Sequence, residues 1–97
     1  YESALRNDSD HVGAMNNIGA LYLRVGNPAS AEKVFKKVLV KSPEYANARL
    51  NLAWAFLAQD QRKKALTSLK KYVSLVPPEK VEAEVLEKIR LLEESLS

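Results

Sequence analysis

Apolar residues along this 97-residue chain recur at three- and four-residue spacing, and no stretch alternates polar with apolar. That pattern predicts helices and no strand. Ile18, Tyr22 and Val25 mark one helix, and Gly26 supplies its stop. Asn27 is placed to cap a second helix with Pro28 at its first position, where a missing N–H costs nothing. Ala31, Phe35, Val38 and Leu39 carry that helix to about Lys41. Ser42 and Pro43 repeat the cap-and-proline signal and are read as opening the next helix. A last helix is expected from about Pro78 to Leu96, with Val81, Val85, Ile89, Leu92 and Leu96 as its apolar stripe and Glu84 paired to Lys88.

The pattern repeats. Laid on 46–79, residues 12–45 give seven identities over 34 positions: Ala14/Ala48, Asn17/Asn51, Leu23/Leu57, Ala31/Ala65, Lys36/Lys70, Lys37/Lys71 and Pro43/Pro77. Ile18 becomes Leu52, Gly19 becomes Ala53, Tyr22 becomes Phe56 and Phe35 becomes Leu69. The place of Gly26 is taken by Asp60, which tolerates a left-handed backbone better than most side chains. The same step backwards sets Tyr1, Ala4 and Leu5 on Phe35, Val38 and Leu39, so 1–11 reads as the tail of a further unit. Small residues at Gly19, Ala53, Ala31 and Ala65 would let paired helices approach closely. One pair cannot bury both apolar faces, so the pairs must stack.

This spacing resembles the tetratricopeptide repeat, a 34-residue helix–turn–helix. Ile18-Gly19, Tyr22, Ala31, Phe35 and Pro43 carry the likeness in one unit. Leu52-Ala53, Phe56, Ala65, Leu69, Tyr72 and Pro77 carry it in the other. Met15 and Arg49 stand where the family favours tryptophan, and Pro28 where tyrosine is frequent. The resemblance implies an all-α, right-handed α-solenoid: 1–11 the tail of a truncated repeat, 12–45 and 46–79 two repeats, and 80–97 a C-terminal capping helix. Together these form one domain.

The resemblance also implies a function. First helices of such repeats line a concave groove that receives a peptide or a partner helix. Carried over, the groove-facing residues are Asn16, Asn17, Ala20, Leu23 and Arg24, then Asn47, Leu50, Asn51, Trp54 and Leu57, then Glu84, Lys88 and Leu91. Leu50, Trp54 and Leu57 also share one helix face by their i, i+4, i+7 spacing. Asparagine amides both donate to and accept from a peptide backbone, which suits Asn17 and Asn51. The clamp by which some members hold acidic chaperone tails is missing. Asn51 fits it, but Asn16, Ala20, Val81 and Val85 replace its other residues. The expectation is a protein-interaction module without catalytic activity, cofactor or metal; the alternative is a self-association module, homo-oligomeric through an open N-terminal edge or by helix exchange.

Composition narrows the field further. One histidine and no cysteine leave few nucleophiles or general bases and no thiolate metal site. Asp8, Asp10 and His11 are read as helix-start residues rather than metal ligands. Asn7-Asp8-Ser9 is a glycosylation sequon, relevant only to a secreted eukaryotic chain. The net charge is +3, with lysines concentrated on the second helices: Lys33, Lys36, Lys37 and Lys41, then Arg62, Lys63, Lys64, Lys70 and Lys71. A nucleic-acid face would want aromatic or arginine stacking groups interleaved there, but the residues are mostly lysine, so a nucleic-acid partner is not expected. The apolar run 52–58 is too short to span a bilayer, so no membrane insertion is expected. No leader is visible, and a cytoplasmic place is expected over a secreted one. Opening on Tyr1, with Met15 the sole methionine, the chain is expected to derive from a longer one.

Overall fold

The computed structural model describes the backbone from residue 8 to residue 96. The expectations for Tyr1, Ala4, Leu5 and the Asn7 sequon lie outside the described residues, as do the side chains of Asp8, Ser9 and Asp10. Five α-helices follow one another: α1 (Asp8–Arg24), α2 (Pro28–Lys41), α3 (Ala46–Ala58), α4 (Arg62–Leu75) and α5 (Ala83–Leu96). No strand occurs among the described residues. Each helix packs on its chain neighbour, α1 also touches α3, and the molecule is elongated, 49 × 30 × 18 Å.

Local chemistry sets the turns inside each helix pair. Asn27 caps α2, its Oδ1 accepting from the Ser30 N–H at 3.4 Å, with Pro28 in the first turn. Gly26 adopts φ +83°, and Asp60 adopts φ +61° in the equivalent place. The bonds around them match: Asn27 N–H donates to Tyr22 C=O at 2.8 Å and Gln61 N–H to Phe56 C=O at 2.8 Å. Both first helices thus end in the same left-handed cap. Consequently α1 and α3 end 34 residues apart, as do α2 and α4.

Links between pairs differ from the sequence-based expectation. Ser42 and Pro43 do not open a helix. Ser42 closes α2, its N–H donating to Val38 C=O at 2.8 Å, and Tyr45, in an extended conformation, precedes α3. Pro78–Lys80 forms only a 3-10 turn, Val81 is extended, and α5 begins at Ala83. This link is longer than the one before α3, so α5 starts 37 residues after α3 rather than 34. Glu84 does not pair with Lys88; instead Arg90 bonds Glu87 at 3.3 Å and Glu94 at 3.0 Å.

The core lies between successive helices. Ala31, Phe35, Val38, Ala48, Ala53, Ala55, Ala65 and Leu69 are fully enclosed. A Cβ built on Gly19 would stand 2.5 Å from the Phe35 ring, so α1 and α2 touch where the sequence lacks a side chain. The absence of a Cβ at Gly19 is the condition for this ring to be buried.

Candidate functional site

The predicted groove residues fall into three groups by surroundings. Asn17, Arg24, Asn47, Glu84 and Leu91 are exposed. Ala20, Leu23, Leu50, Asn51, Trp54, Leu57 and Lys88 are half-buried, and Leu23, Leu50, Trp54 and Leu57 pack against the core. Asn16 is buried. Its Oδ1 accepts a hydrogen bond from Asn51 Nδ2 at 3.4 Å, which ties α1 to α3. A buried amide without a partner is costly, so this bond fixes the spacing of the two helices.

Helical register orders these residues. Asn17 and Asn51 are 34 apart, and Lys88 follows Asn51 by the 37-residue step of α5. Asn47 maps to Glu84 and Trp54 to Leu91 by the same step. A cavity of about 320 Å³ is lined by Ala83, Glu84, Glu87, Lys88 and Leu91. It brings Glu84, Lys88 and Leu91 together on α5, and Glu87 joins them although the sequence reading left it out. A second depression, about 450 Å³, lies at the start of α4 against the end of α5. It is lined by Asp60, Gln61, Arg62, Lys63, Lys64 and Leu96, and Arg62 pairs with Asp60 at 3.2 Å.

The second helices carry the cations. All nine Lys and Arg residues named for them are exposed. Lys36 bonds Glu32 at 2.7 Å, and Lys70 bonds Glu93 at 2.9 Å. Lys36 and Lys64 both sit over the Phe56 ring, at 5.9 and 5.8 Å from its centre. Glu32 is held below the usual carboxylate range, first by its bond to Lys36, then by a donor from Gln59 and the nearby charge of Lys64, against the opposing effect of desolvation. This is a structural cluster joining α2, α3 and α4.

One apolar feature was legible as helical spacing but not as surface. Ile18 and Leu21 on α1 and Val25 just after it are 50%, 53% and 67% exposed, whereas Leu52 and Ala55, the equivalents of the first two on α3, are 5% and 0% exposed. Ala14 completes the exposed row.

Five successively stacked helices, the same left-handed cap at the ends of α1 and α3, close contact at Gly19 and a 34-residue register define a helical-repeat protein built from helix pairs. The tetratricopeptide-repeat family model matches residues 22–83. The chain belongs to that family, whose repeats generally mediate protein–protein interaction. No curated protein matches the chain. Among the described residues no helix is long and apolar enough to cross a membrane, and no three His, Asp or Glu side chains converge as metal ligands.

Proposed function

We propose that the chain holds an extended peptide or amphipathic helix of a partner protein along the row formed by α1, α3 and α5, with 12–45 and 46–79 as its two repeats, 80–97 as the cap and 1–11 as the tail of a further unit. The observation that carries this reading is the amide row. Asn51 spends one N–H on Asn16, while the exposed Asn17 and Asn47 and the half-buried Leu50, Trp54 and Leu57 stand beside it. Amides can bond a peptide backbone, and the apolar side chains can bury one or two of its residues. Contact over about 300 Å² of apolar ligand would yield roughly 7 kcal/mol before ordering costs, which sets a micromolar scale.

A panel of synthetic peptides, extended and helix-forming, each with one or two apolar side chains, tests the reading with Trp54 emission as reporter. At least one peptide is expected to bind at micromolar concentration, and Trp54→Ala to weaken it at least tenfold by calorimetry while the helical circular dichroism is retained. Affinity unchanged in Trp54→Ala, or a panel without binders, contradicts it.

The exposed apolar row of α1 favours a second reading, self-association.

A further inference from the structure

The open row on α1 has a template inside the same molecule. Ala14, Ile18, Leu21 and Val25 hold the places that Ala48, Leu52, Ala55 and the C-cap Gln59 hold along α3. That α3 face lies against α2: three of its residues are buried or nearly so, and Gln59 Nε2 donates to Glu32 of α2 at 2.8 Å. On α5, after the 37-residue step, Val85, Ile89, Leu92 and Leu96 hold the same places. That helix lies on α4 as α3 lies on α2, with Lys70–Glu93 at 2.9 Å and Arg62–Ser95 at 3.5 Å across the contact. Three rows share one design, and only the row on α1 has no helix upon it among the described residues.

We propose that α4 of one copy docks on α1 of a second copy in place of its own α5, so that copies join head to tail. This rests on the self-association reading above and says which surfaces mate. Complementarity argues for a second copy as the occupant. In the α2–α3 contact a polar residue meets a polar residue, Glu32 with Gln59. The equivalent residues of the α4–α1 contact are Leu66 and Val25, both apolar. Lys36 sits over the Phe56 ring, and its equivalents, Lys70 and Tyr22, keep the basic-over-aromatic pair. In the α4–α5 contact these places belong to Leu66 with Leu96 and Lys70 with Glu93, again matched in kind. Hence α1 and α5 are alternative covers for one face of α4.

Such a contact is heterologous and does not close on itself, so chains of copies grow with concentration. Each junction exchanges the α5 contact for the α1 contact. The equilibrium is therefore governed by concentration and by how firmly α5 holds.

Sedimentation velocity on the 97-residue chain over a wide concentration range, with amide hydrogen exchange on the same samples, tests this. The expected result is a mass that rises continuously past the dimer while amides of residues 83–96 lose protection in step. Leu21→Glu, at an exposed position, is expected to stay monomeric with unchanged circular dichroism and to shorten the assemblies of the unaltered chain when mixed with it. Glu93→Lys, which turns the pair with Lys70 into a repulsion, is expected to shift association to several-fold lower concentration. Association with full protection of α5 overturns the exchange and leaves self-association standing. A monomer at every concentration overturns both, and neither result touches the groove reading, which the Trp54 peptide assay tests separately.

Discussion

Helices α1 and α3 are the same element written twice, yet they differ most where their sequences agree in register. Ile18 and Leu52 are both large aliphatics in one repeat position, and one is half exposed while the other is in the core. Both helices end in the same left-handed cap and both press a small residue, Gly19 or Ala53, against the following helix. What differs is the other side. On α3 that side meets α2, and on α1 it meets no described helix. In a stacked array the burial of a residue is thus a property of the junction it belongs to, and the energy of a repeat divides into an internal part and a neighbour part.

The sharpest division is expected from matched truncations. Leu52→Ala removes buried methyl groups between α2 and α3 and is expected to cost about 2–4 kcal/mol in urea unfolding. Ile18→Ala, the same change in register, is expected to cost about 0.5 kcal/mol or less in the dilute chain. Equal losses would show that α1 is covered too.

The internal part is probed at the close contact. Gly19→Ala drives a methyl to within 3 Å of three atoms of the Phe35 ring, which is fully buried and has little room to yield. A loss of about 1–3 kcal/mol is expected despite the better helix propensity of alanine. A gain in midpoint would mean that the two helices stand further apart than described.

The caps offer a smaller contrast. Asp60 adopts φ +61° at a cost that glycine escapes, so Asp60→Gly is expected to stabilise by about 0.5–1 kcal/mol, less the small loss of its exposed pair with Arg62. The reverse change, Gly26→Asp, is expected to destabilise by a similar amount.

The smallest effect is one of pH. The folded chain holds Glu32 below its usual range through Lys36 and Gln59, so ionised Glu32 favours the folded state. That contribution is complete above the unfolded carboxylate range, near pH 4.3, and is lost as pH falls through the lower folded value. Comparing urea midpoints of the unaltered chain and Glu32→Gln between pH 7 and pH 3 should show a difference of a few tenths of a kcal/mol at neutral pH that vanishes in acid. A difference that persists in acid would assign Glu32 a packing role instead.

How much of this could be read beforehand follows from which forces are local. The 34-residue register, the Asn27-Pro28 helix start and the left-handed turns at Gly26 and Asp60 were legible because each depends on a few adjacent residues. Ser42-Pro43 misled because a cap-and-proline signal also fits a turn, and Pro78 misled because a proline that can open a helix also fits a 3-10 turn. Here the extended backbone at Tyr45 and Val81 delays each helix by several residues. The assignment of Glu84, Lys88 and Leu91 to a groove came from the family likeness alone, and the structure shows only that the three line one depression on α5. Burial of Asn16 was not legible, since it depends on Asn51 from the next pair reaching its amide. Nor was the exposure of Ile18, Leu21 and Val25, because helical spacing identifies an apolar face but not the element that covers it.

The difference between the two first helices can be measured directly, because the chain contains no cysteine of its own. Leu21→Cys and Ala55→Cys place a thiol at equivalent register positions, one on the open face and one against α2. Under native conditions and at low protein concentration, the thiol at position 21 should react with a soluble disulfide reagent at nearly the rate of the urea-unfolded chain. At position 55 it should react at least a hundredfold more slowly. Similar rates at both positions would contradict the claim that the two repeats differ only in what covers them.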